Sequence, residues 1–399
     1  MYTFKTNVNA SEHDVFVEKH DLCNLLQSSS WAKVKENWDS LLVGVYEKNT
    51  LVASALVLIK QLPLDFTMFY TPRGPIMDYE NTDLVVFFIK ELKAYAKTKH
   101  ALFIKMDPGI HINDYPIQEL NNQRYPIKKI MENMKLAGAL HQGYSKTIQE
   151  VIQPRYQANV YKDDAFEQRL PRHTKRLIKD AQKHNVQVVH AGEDRVHEFS
   201  EVVALSEKRK QVSLRNEEYF SLLMDIYKED AHLFLGEINI QESLKQLDEQ
   251  REENEKALLT VDVSSRKKLT KLHDQKRSLE KQRKELEQFS HIEGNVVIAG
   301  VLSIRFGNTM EMLYAGMNDQ FKKFMPQYHI YVENMKYAFQ EGCEFCNMGG
   351  VEGDLTDGLT TFKSNFNPMI NEFIGEFDIP VNKFLYRMSK MAYQIRKRK

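Results

Sequence analysis

The hydrophobic pattern changes period several times along the chain, and each change marks an element. Residues 41–46 (LLVGVY) and 51–59 (LVASALVLI) are apolar, partly β-branched runs separated by Glu47–Asn49, which predicts two strands joined by a turn. A third strand is expected over Phe66–Pro75. Helical spacing over 83–97 then leads into a strand at Ala101–Asp107. The same succession returns in the second half. Ala231–Ile238 and Gly294–Gly316 are strand-like, with Gly-Asn breaks at 294–295 and 307–308; a helix over Pro326–Glu341 leads into Cys343–Gly350. The pattern predicts an internal duplication of a hairpin, strand, helix, strand module.

The second copy is interrupted. Residues 241–289 contain no Gly and no Pro, and their apolar residues fall at coiled-coil spacing. Leu244, Leu247 and Leu258 belong to one arm; Leu269, Leu272, Leu279, Leu286 and Phe289 belong to the other. Between them Leu259–Ser265 is weakly helical, with β-branched Thr260, Val261 and Val263 and turn-prone Asp262, Ser264 and Ser265. This predicts an antiparallel helical hairpin at a loop tip, where extra chain is tolerated, with arms of about 20 residues reaching roughly 30 Å.

The expected architecture is α/β (α+β). A first domain spans 1–150, a second spans 151–240 and 290–399, and the coiled-coil hairpin 241–289 is inserted in the second. At 399 residues and 42% hydrophobic, two ordinary cores are supported. Lys+Arg and Asp+Glu both number 55, so no global field recruits a polyanion. The local balance differs: Arg266–Lys284 holds nine basic residues against Asp274 and Glu280, which suits either nucleic-acid contact or a solvated helical face.

Three cysteines make no disulfide framework, no apolar run approaches the roughly 18 residues of a membrane span, and the first residues lack a signal-peptide core. The expected location is the cytoplasm. The basic tail Arg396–Lys399 suits a frayed soluble end or peripheral contact with anionic lipid.

The missing chemistry narrows the function. No P-loop and no G-x-G-x-x-G occur. The module order resembles the GNAT acyltransferase fold, yet no glycine is followed two positions later by Gly or Ala, so the loop that cradles coenzyme A pyrophosphate is absent. Cys343 and Cys346 form a lone C-x-x-C, short of the four ligands of structural zinc, and read as buried thiols. Neither H-E-x-x-H nor G-x-S-x-G is present. The sequence argues against a metal, a covalent intermediate and coenzyme A.

Four stretches carry candidate chemistry. SSSWAKVKENW (28–38) puts Trp31, Lys35 and Trp38 at helical spacing, on a core-facing helix or a ligand-facing one. YTPRGPIMD (70–78) is a rigid turn with Arg73 between two prolines. SLRNEEYF (213–220) sets Arg215 and Tyr219 four apart, a common surface pattern that also fits phosphate plus sugar. NMGGVEGDLTDGLTTFKSNF (347–366) reads as a loop with four glycines ending in Phe362-Lys363, an aromatic and a cation suited to a stacked base and its phosphate.

Taken with F-x-K-M-D-P (103–108), I-Q-P-R (152–155), L-Y-A-G (313–316), G-G-V-E-G-D…G-L-x-x-F-K-S-x-F-N-P and E-F-x-G-E-F (372–377), these motifs resemble the Fem family (FemABX) of peptidoglycan aminoacyltransferases, and within it the MurM type. The resemblance covers essentially the whole chain. It implies two GNAT-like domains in tandem and a helical arm proposed to engage tRNA. It also implies transfer of an amino acid, serine or alanine favoured, from aminoacyl-tRNA to the stem-peptide lysine amine of a precursor, lipid II or UDP-MurNAc-pentapeptide. Aminoacyl-tRNA would be a co-substrate, with no other cofactor and no metal.

Residue by residue, the resemblance implies that Lys35 contacts precursor phosphate beside Trp38. Ser213, Arg215, Tyr219 and Tyr314 complete the precursor cluster. Phe362 and Lys363 meet the tRNA acceptor end; as a cation there, Lys363 is expected to stabilise either the oxyanion or the terminal phosphate of the tRNA. Asp107 occupies the place once given to a general base. Thr360 departs from the Tyr usual in G-L-Y-x-F-K, which alters the wall beside Phe362. The rival readings are a coenzyme A N-acyltransferase and a non-catalytic tRNA-binding protein.

Overall fold

The computed structural model describes residues 1–119, 124–210, 215–262 and 264–397. In chain order its first eight strands are β1 (Tyr2–Lys5), β2 (Asp39–Glu47), β3 (Thr50–Gln61), β4 (Thr67–Thr71), β5 (Ile76–Met77), β6 (Ala101–Met106), β7 (His111–Pro116) and β8 (Leu140–His141). The next eight are β9 (Tyr156–Tyr161), β10 (Gln187–Ala191), β11 (Ala231–Asn239), β12 (Asn295–Phe306), β13 (Thr309–Met317), β14 (Phe345–Gly350), β15 (Met369–Phe373) and β16 (Phe377–Pro380).

They form two sheets. One has the order β1-β2-β3-β4-β6-β16-β8, with β5 also on β3; the other has the order β10-β11-β12-β13-β14-β9-β15-β7. Each opens with four antiparallel strands and then a parallel partner, β6 on β4 and β14 on β13. A parallel return needs a crossover, and a helix supplies it each time: Thr82–Thr98 in the first, Pro326–Gln340 in the second. The first crossover helix forms because Asn81 caps it, its side chain accepting from Leu84 N at 3.1 Å. Leu84, Val85, Phe88, Ile89, Leu92 and Ala96 recur at three- and four-residue spacing and are buried. Each large one contributes roughly 1.5–3 kcal/mol of burial.

The sheets do not divide at residue 150. β7, from the first half, is hydrogen-bonded to β15 in the second sheet, and β16, near the C-terminus, lies between β6 and β8 in the first. These pairings span more than two hundred residues, and local periodicity carries no signal for them. A buried ion triad fixes the exchanged strand: Lys105 on β6 reaches Glu376 and Asp378 at 2.7 Å each. A third core joins the halves, packing Val17, Trp31 and Leu56 against Phe199, Phe220 and Leu302. The approach there is close: a Cβ on Gly316 would sit 2.6 Å from the Val203 nitrogen, so the Val196–Lys210 helix can lie on β13 only because residue 316 has no side chain.

Between β11 and β12 run helices Ile240–Thr260 and Arg266–Glu287. Asp248 meets Arg283 at 2.8 Å, Glu255 meets Lys276 at 3.0 Å, and Asn254 donates to the Leu272 carbonyl at 3.2 Å, so the two run antiparallel. Leu247, Leu279 and Leu286 are buried, and at the root Phe289 stacks on Phe321 at 4.4 Å. Among the described residues Arg266, Lys267, Lys268 and Lys271, near the tip, meet no carboxylate and are exposed.

Candidate active site at the seam between the sheets

Three local expectations change. The helix beginning at Trp31 ends at Val34, so Lys35 is its cap and Trp38 lies beyond it; the three do not share one helical face. Arg215 precedes its helix, which starts at Glu217 after the Asn216 cap, yet its guanidinium still lies over the Tyr219 ring at 4.7 Å. The glycine-bearing stretch is not one loop. It comprises β14, a turn, and the helix Gly358–Ser364, capped by Asp357, which accepts from Leu359 N at 2.8 Å and Thr360 N at 3.1 Å. Buried Thr360 also bonds that cap, so a side chain differing from the family pattern serves to start this helix.

Across the seam the two halves supply one polar cluster. Ser28 Oγ and Tyr227 Oη are 2.8 Å apart, bringing the Trp31 segment against the helix Glu217–Tyr227. Half-buried Lys35 has its ammonium over Trp31 at 5.1 Å. Its pKa is lowered, first by burial and then by the charge of Arg215, so cations from the two halves of the chain lie near each other. Among the described residues neither meets a carboxylate. Beneath them Tyr314 Oη donates to Tyr219 Oη at 3.3 Å, and burial pushes the Tyr219 hydroxyl well up. The structure thus brings Lys35, Arg215, Tyr219 and Tyr314 together. Ser213 lies outside the described residues.

From this cluster a chain of contacts leads inward. Trp38 packs against Tyr70 at 6.3 Å, and Tyr70 donates to Asp107 Oδ2 at 2.8 Å. Asp107 Oδ1 accepts from the Arg73 backbone at 2.7 Å. Burial lifts the Asp107 carboxyl to about 6 although Arg73 pulls it down. Arg73, 2% exposed, donates through Nη2 to the Pro154 carbonyl at 2.6 Å. Pro154 touches Gly350, whose carbonyl accepts from Lys363 Nζ at 2.7 Å. Lys363 is therefore buried at the far end of the line that starts at Trp38.

Phe362 and Lys363 diverge, as neighbours about 100° apart on a helix must. Phe362 packs edge-on against Tyr331 and Tyr328, at 5.1 and 5.3 Å, and lines a cavity of about 740 Å³ with Met317, Lys322 and Lys323. A cavity of about 800 Å³ beside residues 160–170 is lined by Phe366 and Asn367 of the F-N-P motif but by none of the candidate site residues. Two seam residues went unassigned by sequence reasoning, Arg73 and Glu311. The second had a signal: a lone carboxylate between Met310 and Met312 in a strand. Among the described residues no three potential ligands converge to hold a metal.

The paired sheets thus meet along a seam with two cations at one end and a buried lysine and an aromatic cavity at the other. The chain belongs to the FemAB family, whose model matches residues 8–394, and it is an aminoacyl-transferring enzyme. It is 26% identical over 404 residues to a lipid II:glycine glycyltransferase of Staphylococcus epidermidis, covering 96% of this chain and 94% of that one. It is 26% identical over 415 residues to the Staphylococcus aureus protein of the same name, with the same coverage. The crystal structure of FemX has the same fold, with a TM-score of 0.80 at 24% identity over 97% of this chain and 99% of that one.

Proposed function

We propose that this protein transfers an amino acid from aminoacyl-tRNA to the side-chain amine of the stem-peptide lysine on lipid II, opening an interpeptide branch. The carrying observation is the Lys35 and Arg215 pair. Two adjacent cations that meet no carboxylate among the described residues are unfavourable unless an anion joins them, and a precursor diphosphate satisfies both. Trp38, Tyr219 and Tyr314, with Ser213 by resemblance, would take the adjoining sugar. The acceptor's identity draws on the names of the staphylococcal relatives.

On the donor side, Phe362 with Tyr328 and Tyr331 offers stacking surface for the terminal adenine, and Lys322 and Lys323 offer charge for tRNA phosphates. Lys363, reaching the inner line from the opposite side, would stabilise the oxyanion. Asp107, with both oxygens accepting, would orient Tyr70 and the Arg73 turn. In this reading the two sheets are tandem GNAT-like domains, and the basic coiled-coil arm contacts tRNA.

The enzyme would act at the cytoplasmic face of the membrane. Residues 383–399 contain no acidic residue, and Phe384, Met388 and Met391 line one exposed helical face beside Lys383 and Arg387, which suits an anionic bilayer surface. Serine or alanine is the proposed cargo, with glycine, the residue in the relatives' name, as the competitor. Incubating the purified protein with Ser-, Ala- or Gly-charged tRNA and either lipid II or UDP-MurNAc-pentapeptide identifies both substrates. No transfer from any charged tRNA would end the proposal.

A further inference from the structure

In each sheet the parallel strand pair comes apart at the seam, and the residues at the two partings face one another. In the first sheet the pairing ends at Thr71 and Met106, releasing Arg73 and Asp107; in the second it ends at Glu311 and Asn347. Met310 and Met312 belong to the core of the second sheet. Alternation therefore turns Glu311 to the other face, where its cross-strand partner Ile304 packs in the core shared by both halves.

Arg73 approaches from the first sheet. Among the described residues no carboxylate lies within ion-pairing distance of it, and its buried Nε has no hydrogen-bond partner, an arrangement that leaves donor capacity at the seam. Of the two carboxylates flanking that guanidinium, Asp107 has both oxygens engaged and is 2% exposed, whereas Glu311 is only half-buried.

We propose that Glu311 is the proton acceptor for the attacking amine, at the parting where the charge of Arg73 reaches it from the first sheet; this rests on the function proposed above. The lysine ammonium gives one proton to a Glu311 oxygen, and the freed nitrogen lone pair forms the bond to the ester carbonyl carbon. On collapse the carbon–oxygen bond to the ribose breaks and the ribose oxygen takes that proton back. The nitrogen's second proton leaves to water. The groups around Glu311 are Arg73 and Cys23 from the first half and Cys346 and Asn347 from β14, with Asp107 and Glu376 beyond Arg73. Burial lifts the Glu311 carboxyl to about 7, with Arg73 and Asn347 pulling it back. A base titrating near neutrality suits proton transfer there.

The test is the pH dependence of transfer from charged tRNA to lipid II for wild type, Glu311→Gln and Glu311→Asp, each checked for a cooperative melt. Glu311→Gln is expected to lower kcat by about 100- to 10,000-fold, leave the KM for lipid II unchanged and abolish the acidic limb near pH 7. Glu311→Asp is expected to keep a limb with a shifted midpoint. A folded Glu311→Gln protein with wild-type turnover and limb overturns the inference alone. If Glu311→Gln does not fold, an unmoved midpoint in Glu311→Asp overturns it equally. A wild-type protein that transfers nothing overturns the inference together with the function beneath it.

Discussion

Arg215 can be removed with little structural cost, which makes Arg215→Ala a direct probe of the precursor site. The side chain is exposed, and its described contact is the Tyr219 ring, worth about 0.5–1 kcal/mol at such a site. The folded state should therefore change little. Catalysis should not. A hydrogen bond to a charged group contributes about 1.5–3 kcal/mol, so losing the grip on a precursor phosphate should lower kcat/KM for lipid II about 10- to 150-fold. Lys35 sharpens the test. Removing Arg215 relieves the repulsion on its ammonium, so Lys35 stays charged to higher pH. The double variant Lys35→Met with Arg215→Ala should accordingly depart from additivity by about 0.5–3 kcal/mol. The assay is initial rate against lipid II at saturating charged tRNA, then against tRNA at saturating lipid II. An effect confined to the tRNA titration, or none in a normally melting protein, would refute the phosphate assignment.

Further expectations concern stability and location. Lys105→Met leaves buried Glu376 without its cation and should cost about 3 kcal/mol in urea unfolding; a smaller loss than in a surface lysine variant would contradict the triad's role. Burial lowers the His232 pKa from 6.5 to about 4, with His190 and Arg305 adding to the shift, so the unfolded chain binds the proton first as pH falls. Stability should drop between those two values by on the order of 2–3 kcal/mol, and His232→Phe should flatten the dependence of Tm on pH. Replacing Phe384, Met388 and Met391 by serine should weaken sedimentation with phosphatidylglycerol vesicles and slow transfer to vesicle-borne lipid II, while transfer to a detergent-solubilised acceptor is unaffected.

The strands of both hairpins were legible because apolar runs and turn residues are local properties: 51–59 falls within β3, and the break at 307–308 is the turn before β13. The exchange of β7 and β16 was not, since nothing within a ten-residue window says which sheet a short strand completes. The helix bearing Phe362 was read as loop because glycines dominate its surroundings, although Asp357 before Gly358 is a cap signal. Resemblance to a family nominated Lys35 and Arg215, and the structure brings the two charges near each other. Glu311 escaped because its importance depends on where two strands part, which is set by pairing rather than by composition.

The exchanged strand also governs when the protein can exist during synthesis. Until residues 377–380 leave the ribosome, the first sheet ends at β6 with an unsatisfied edge, and β8 has nothing to pair with. The N-terminal half must wait, almost complete, for a segment made more than two hundred residues later. A truncated chain would thus be defective in both halves, and a message cut short would yield no partly active enzyme.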